Sequence, residues 1–175
     1  MITRRTAVVA LAGLATGCLL SKPAEPSLTI FTYDGVEFHG DGLGLMFDDA
    51  VIVRDQLTTK VELVFPANRI VDMLEMTPEI LDERYVECLI DSDDGQETLM
   101  ATVNQCSRGS VKVQFVNGVA TQARVRGDIG GTRGQPAMVR MNGHDIALPA
   151  SHLELENTLG KPDSIRKVVE ARSRT

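Results

Sequence analysis

The chain has 175 residues, is 43 % hydrophobic and carries a formal net charge of −6 at pH 7, with no tryptophan. That length is one domain's worth, and the acidic balance excludes nucleic acid as a main partner, because phosphate contacts need clustered Lys and Arg. With five Phe and two Tyr, an aromatic-lined sugar cleft is excluded as well.

The first element is a three-zone leader. "MITRR" is a cationic head, "AVVALAGLA" is a run of small and aliphatic residues, and "TGC" closes it. Such an order describes an export signal. The uncharged run from Thr6 to Ser21 falls short of the ~20 residues a membrane-spanning helix needs. Its exit, "ATGC", resembles the lipobox of bacterial lipoproteins: Ala15, Thr16 and Gly17 stand before Cys18, although Leu is usual where Ala15 stands. The resemblance implies cleavage between Gly17 and Cys18, acylation of the Cys18 sulfur and anchorage by acyl chains, each buried CH₂ contributing ~0.8 kcal/mol. The pair Arg4-Arg5 also resembles the start of a twin-arginine signal, and a Sec signal wants positive charge at the same place, so both export routes stay open. By the same resemblance, Leu19 after the cysteine, where Asp would retain the protein, directs it to an outer membrane facing the periplasm in a double-membraned host.

Residues 1–17 carry two of the 18 basic residues and none of the 24 acids, so the mature chain is near −8. That charge opposes electrostatic binding to anionic lipid and leaves the acyl chains as the link to the membrane. Residues 18–27, the lipidated Cys followed by "LLSKPAEPS", read as a short extended tether. Residues 28–175 follow as a single globular domain.

The Asp-Gly or Asn-Gly pairs at 34–35, 94–95, 117–118 and 142–143 mark hairpin turns in that domain. In "TIFTYDGVEFHG" a two-residue turn pairs Phe31 with Phe38 and Tyr33 with Val36. "VIVRD" and "KVELVF" read as further strands. From Ala67 to about Arg84 apolar residues fall at helical spacing, and "TPE" at 77–79 starts a new turn, so two short helices broken at Thr77 are expected. "VECLIDSDDGQETLMATV" pairs Ile90 with Leu99 and Cys88 with Ala101. "VKVQFVNGVATQARV" does not alternate cleanly and calls for a bulge or longer loop. "AMVRMNGHDIAL" sets Val139 by Ile146 and Arg140 opposite Asp145. "SHLE" at 151–154 is a capping box, Gly160 is a helix stop, and "PDSIRKVVEARSR" reads as a last helix. The fold class expected is α+β: an antiparallel sheet-rich body, a short mid-chain helical segment and two short C-terminal helices.

With Cys18 acylated, Cys88 and Cys106 remain as a pair that an exported protein tends to oxidise. Strand parity places them on opposite faces, so the disulfide stays open.

"EFHGDGLG" sets His39 and Asp41 among glycines, with Asp48 and Asp49 following, as candidates for a cation or hydrolytic site, though the spacing fits no calcium loop. "GDIGGTRG" at 127–134, flanked by Arg124, Arg126 and Arg133, offers backbone amides to an anion but lacks the Lys and Ser/Thr of a P-loop. Its Asp128-Ile129-Gly130 resembles the aspartic-protease triplet, with Ile129 in place of the bracing hydroxyl; punctuation between strands is the reading preferred. Ser107, Ser110 and Ser151 stand in no nucleophile setting, and His144 and His152 belong to a hairpin end and a helix cap.

The residues imply no catalytic set, no metal and no cofactor. The expectation is a lipid-anchored cell-envelope protein that binds a protein partner at the membrane surface as an assembly, stabilising or exclusion factor. Two alternatives stay beside it: an anchored hydrolase or cation binder using His39 and Asp41, and an immunity or superinfection-exclusion lipoprotein of a mobile element.

Overall fold

A computed structural model describes residues 27–65, 69–82, 98–104, 109–128 and 136–169. Gly17, Cys18, Cys88, Cys106 and the turn at 94–95 lie outside the described residues.

The chain forms strands β1 (Leu28–Tyr33), β2 (Val36–Asp41) and β3 (Met46–Val53), then β4 (Val61–Phe65) and β5 (Arg69–Asp72). Helix α1 (Pro78–Asp82) precedes β6 (Thr98–Asn104), β7 (Gly109–Val116), β8 (Val119–Gly127), β9 (Ala137–Met141) and β10 (His144–Leu148). The short β11 (Ala150–Ser151) leads into helix α2 (His152–Leu159), and β12 (Ser164–Val168) ends the series. One sheet runs β12-β1-β2-β3-β8-β7-β6, with β11 on β3; the second runs β10-β9-β4-β5. Every pairing is antiparallel.

The turns are set by their residues. Asp34, Asn117 and Asn142 all take positive φ, each followed by a glycine that does the same, which is the backbone a two-residue hairpin turn demands. Register follows from the turn: Phe31 opposes Phe38, Tyr33 opposes Val36, and Arg140 opposes Asp145. Alternation then buries one face of each sheet. Phe38, Ile52, Val113 and Phe115 of the first sheet join Leu63, Val139 and Met141 of the second in one apolar cluster, which Leu81 of α1 and Leu155 of α2 extend. The body is therefore sheet-dominated, with two helices among the described residues.

Two expected helical segments are corrected. In the stretch expected to be helical from Ala67, Arg69–Asp72 form strand β5 along β4, with Leu63 opposite Val71, and among its described residues helix is found only in α1 after Thr77. Val71 is buried while Ile70 is exposed, so the segment obeys the two-residue period of a sheet edge rather than a helical one. Over Ser164–Val168 the expected last helix is replaced by β12, which pairs with β1 from Leu28↔Val168 to Thr32↔Ser164. Gly160 turns the chain at φ 82°, Asp163 N donates to Thr32 O at 2.8 Å, and Asp163 Oδ2 accepts from Asp34 N at 2.7 Å. β1 would otherwise be an open edge, and the β-branched Ile165 and Val168 suit its repair. Ser27, assigned to the tether, already bonds to the domain, donating its N–H to Val168 O at 2.9 Å.

Candidate functional site: a cationic cleft on the outer sheet face

β7 and β8 turn Val111, Val113 and Val125 inward and leave the intervening residues outside. Ser110 and Lys112 on β7 thereby share a surface with Arg124 and Arg126 on β8, and together they line a cleft of about 140 Å³. In register, Ser110 opposes Arg126 and Lys112 opposes Arg124. Like charges directly opposite on neighbouring strands destabilise a sheet. A local rule broken in this way in an otherwise consistent fold is the kind of departure expected at functional or strained sites.

The hairpin bulge creates the arrangement. From the turn, Val116 opposes Val119 and Phe115 opposes Ala120; beyond Gln114 the register shifts by one, so Gln114 opposes Gln122. Thr121 is the extra residue, its hydroxyl donating to Gln114 O at 3.3 Å. Without that step Lys112 would stand opposite Ala123, and the basic positions of β8 would fall out of line with it.

The cations are not equivalent. Arg124 reaches across to β3, where its Nε donates to Asp49 Oδ2 at 2.6 Å and a second guanidinium nitrogen meets the same oxygen. Hydrogen bonding to Asp49, aided by the charges of Asp49 and Asp48, lifts the guanidinium above its usual range against the pull of burial. Asp49 is buried, and its Oδ1 finds no partner among the described residues. Lys112 and Arg126 have no acidic partner among the described residues. The cleft thus presents an ammonium, a guanidinium and a neighbouring Ser hydroxyl outward, a donor set for a carboxylate or phosphate. Its volume is well below the ~300–1,000 Å³ of small-molecule sites, so it suits one charged group of a larger partner.

His39 and Asp41 are not brought to a common task. His39 Nε2 lies 3.0 Å from Glu37 Oε2, and Glu37 also holds Arg166 of β12. Asp41 Oδ1 accepts from Leu45 N at 3.0 Å and its carbonyl accepts from Gly44 N at 2.9 Å, closing the β2–β3 loop. Among the described residues no group of three His, Cys, Asp or Glu side chains could hold a metal ion. His152 packs edge-on against Phe31, and its Nε2 lies 3.0 Å from Glu156. Of the glycine-rich loop, Gly127 and Asp128 are described; Arg133 lies outside the described residues. Sequence reasoning picked out Arg124 and Arg126 as flanks of that loop but missed Lys112 and Ser110, whose one signal was the broken alternation of the third hairpin.

No family model matches this chain, and neither the curated proteins nor the solved structures yield a match.

Proposed function

We propose that the chain is a non-catalytic, lipid-anchored protein of the bacterial cell envelope whose domain holds an acidic group of a protein partner at the membrane surface. The observation that carries the partner is the pair Lys112 and Arg126, two outward cations that form no ion pair among the described residues, Asp49 opposite Arg126 being taken by Arg124, on a chain that is itself strongly acidic. The leader and its "ATGC" exit carry the anchor: Cys18 is acylated after cleavage behind Gly17, and Leu19 sends the protein to the outer membrane of a double-membraned host. An assembly, stabilising or exclusion role follows from anchorage beside a single-group receptor. The alternative hydrolase reading has less support, because His39 and Asp41 are engaged by Glu37 and by the Leu45 amide.

Two measurements test the reading. Intact mass of membrane-extracted protein should show cleavage after Gly17 plus a diacylglyceryl group, both lost in Cys18→Ser. Crosslinking in intact cells should give one adduct that the Lys112→Ala/Arg126→Ala variant loses while it melts like the parent, since exposed positions shift stability by about 0.5 kcal/mol or less. An adduct of undiminished yield in that variant refutes the cleft.

A further inference from the structure

Around the point where the chain arrives from Cys18, apolar side chains face outward. Ser27 is pinned by N–H and hydroxyl donation to Val168 O, and Leu28 pairs with both Asp41 and Val168. The β2–β3 loop leaves from that same end, carrying Leu43 at 75 % exposure and Leu45 at 57 %. Met46, Val168 and Val169 are exposed beside it. His152 N donates to Leu45 O at 2.9 Å, which brings the start of α2 to this end, and the next residue, Leu153, is 69 % exposed.

We infer that this end of the domain seats on the lipid surface, with Leu43 and Leu45 entering the interface. The inference rests on the lipid-anchored reading above. Lipid is the occupant because of reach: nine residues, Cys18 to Pro26, separate the acylated sulfur from Ser27. Even fully extended they span at most about 30 Å, so the acyl chains hold this end against the bilayer. Apolar side chains on a loop tip, held there at high local concentration, gain by burial among headgroups and acyl boundary, where aliphatic and aromatic side chains insert about 5–10 Å. The far end, at the Asn117-Gly118 turn, is separated from it by the length of the nine-residue β8, about 25–30 Å at the strand rise.

The chain contains no tryptophan, so each introduced indole is a sole reporter. Acylated full-length Leu43→Trp, Leu45→Trp and Val119→Trp proteins are reconstituted on phosphatidylcholine vesicles, with and without bromine on the acyl chains, and floated. The expected result is flotation of all three. Bromolipid should then quench, and the vesicles blue-shift, the indoles of Leu43→Trp and Leu45→Trp but not that of Val119→Trp. Flotation with both loop indoles unquenched overturns the seating while leaving the anchor intact; a blue shift that then depends on protein concentration identifies a second copy as the cover. Equal quenching at both ends also overturns it. Failure to float overturns the anchor, and the seating with it.

Discussion

Tyr33 is buried beneath the first hairpin, and its hydroxyl finds no hydrogen-bond partner among the described residues. Burial, then the charges of Glu156 and Asp163, push its phenol up to about 12. The folded chain therefore keeps this proton when the unfolded chain, titrating near 10.0, has lost it. Stability present below that value should fall as pH rises from about 10 towards 12. Tyr33→Phe should flatten this alkaline fall and stabilise at neutral pH by about 1 kcal/mol, read by denaturant melts at both pH values. Asp49 gives the opposite case: Arg124→Ala strands a buried carboxylate and should cost about 1–3 kcal/mol or more, with Asp49→Ala/Arg124→Ala recovering part of it. Gly127 marks a close approach of chains: a Cβ there would lie 2.3 Å from the Leu148 carbonyl carbon. Gly127→Ala should cost about 1–3 kcal/mol as overpacking, visible as a lower melting midpoint.

Helix α2 shows a local code that is read in full. Ser151 Oγ accepts from Glu154 N at 3.3 Å, and Glu154 Oε2 accepts from Ser151 N at 2.7 Å. Those bonds from Ser151 hold the Glu154 carboxyl below its usual value. Its contribution is thus present at neutral pH and lost as pH falls through the carboxylate range. Ser151→Ala should cost about 0.5–2 kcal/mol, and most of that difference should persist in acid melts, because the bond from Glu154 N to Ser151 Oγ does not titrate and the backbone bond from Ser151 N to Glu154 survives the substitution. The capping box and the Asn-Gly turns were legible because their determinants lie within four residues of one another. β12 was not, since Ile165, Val168 and Val169 satisfy a helical spacing as well as a strand. What decides is an open edge on β1, joined across the 141 positions between Ser27 and Val168. β5 was missed for the same reason: its partner β4, rather than its own periodicity, selects the strand. The cleft sits between these cases, with its two arginines evident in the sequence and its lysine brought to them by one extra residue, Thr121.

At the scale of the molecule, two sheets close on a shared core, and no local pattern announced which faces would meet. The order β3-β8-β7 places the outer face of β7 and β8 three to four strands from β1, yet at the same end. Ser110 and Arg126 stand one residue inside the Gly109–Gly127 pair that finishes the ladder, and Arg126 is level with Asp49, which is itself level with His39. The cations thus lie a short way along the strands from the end where Ser27 joins the domain. On the proposed anchored reading, a receptor so placed would meet its partner in two dimensions rather than three. An acidic group borne on another membrane-held protein would then reach it by lateral diffusion, at an effective concentration that short linkers raise to about the millimolar range. A small site with weak intrinsic affinity would then be sufficient.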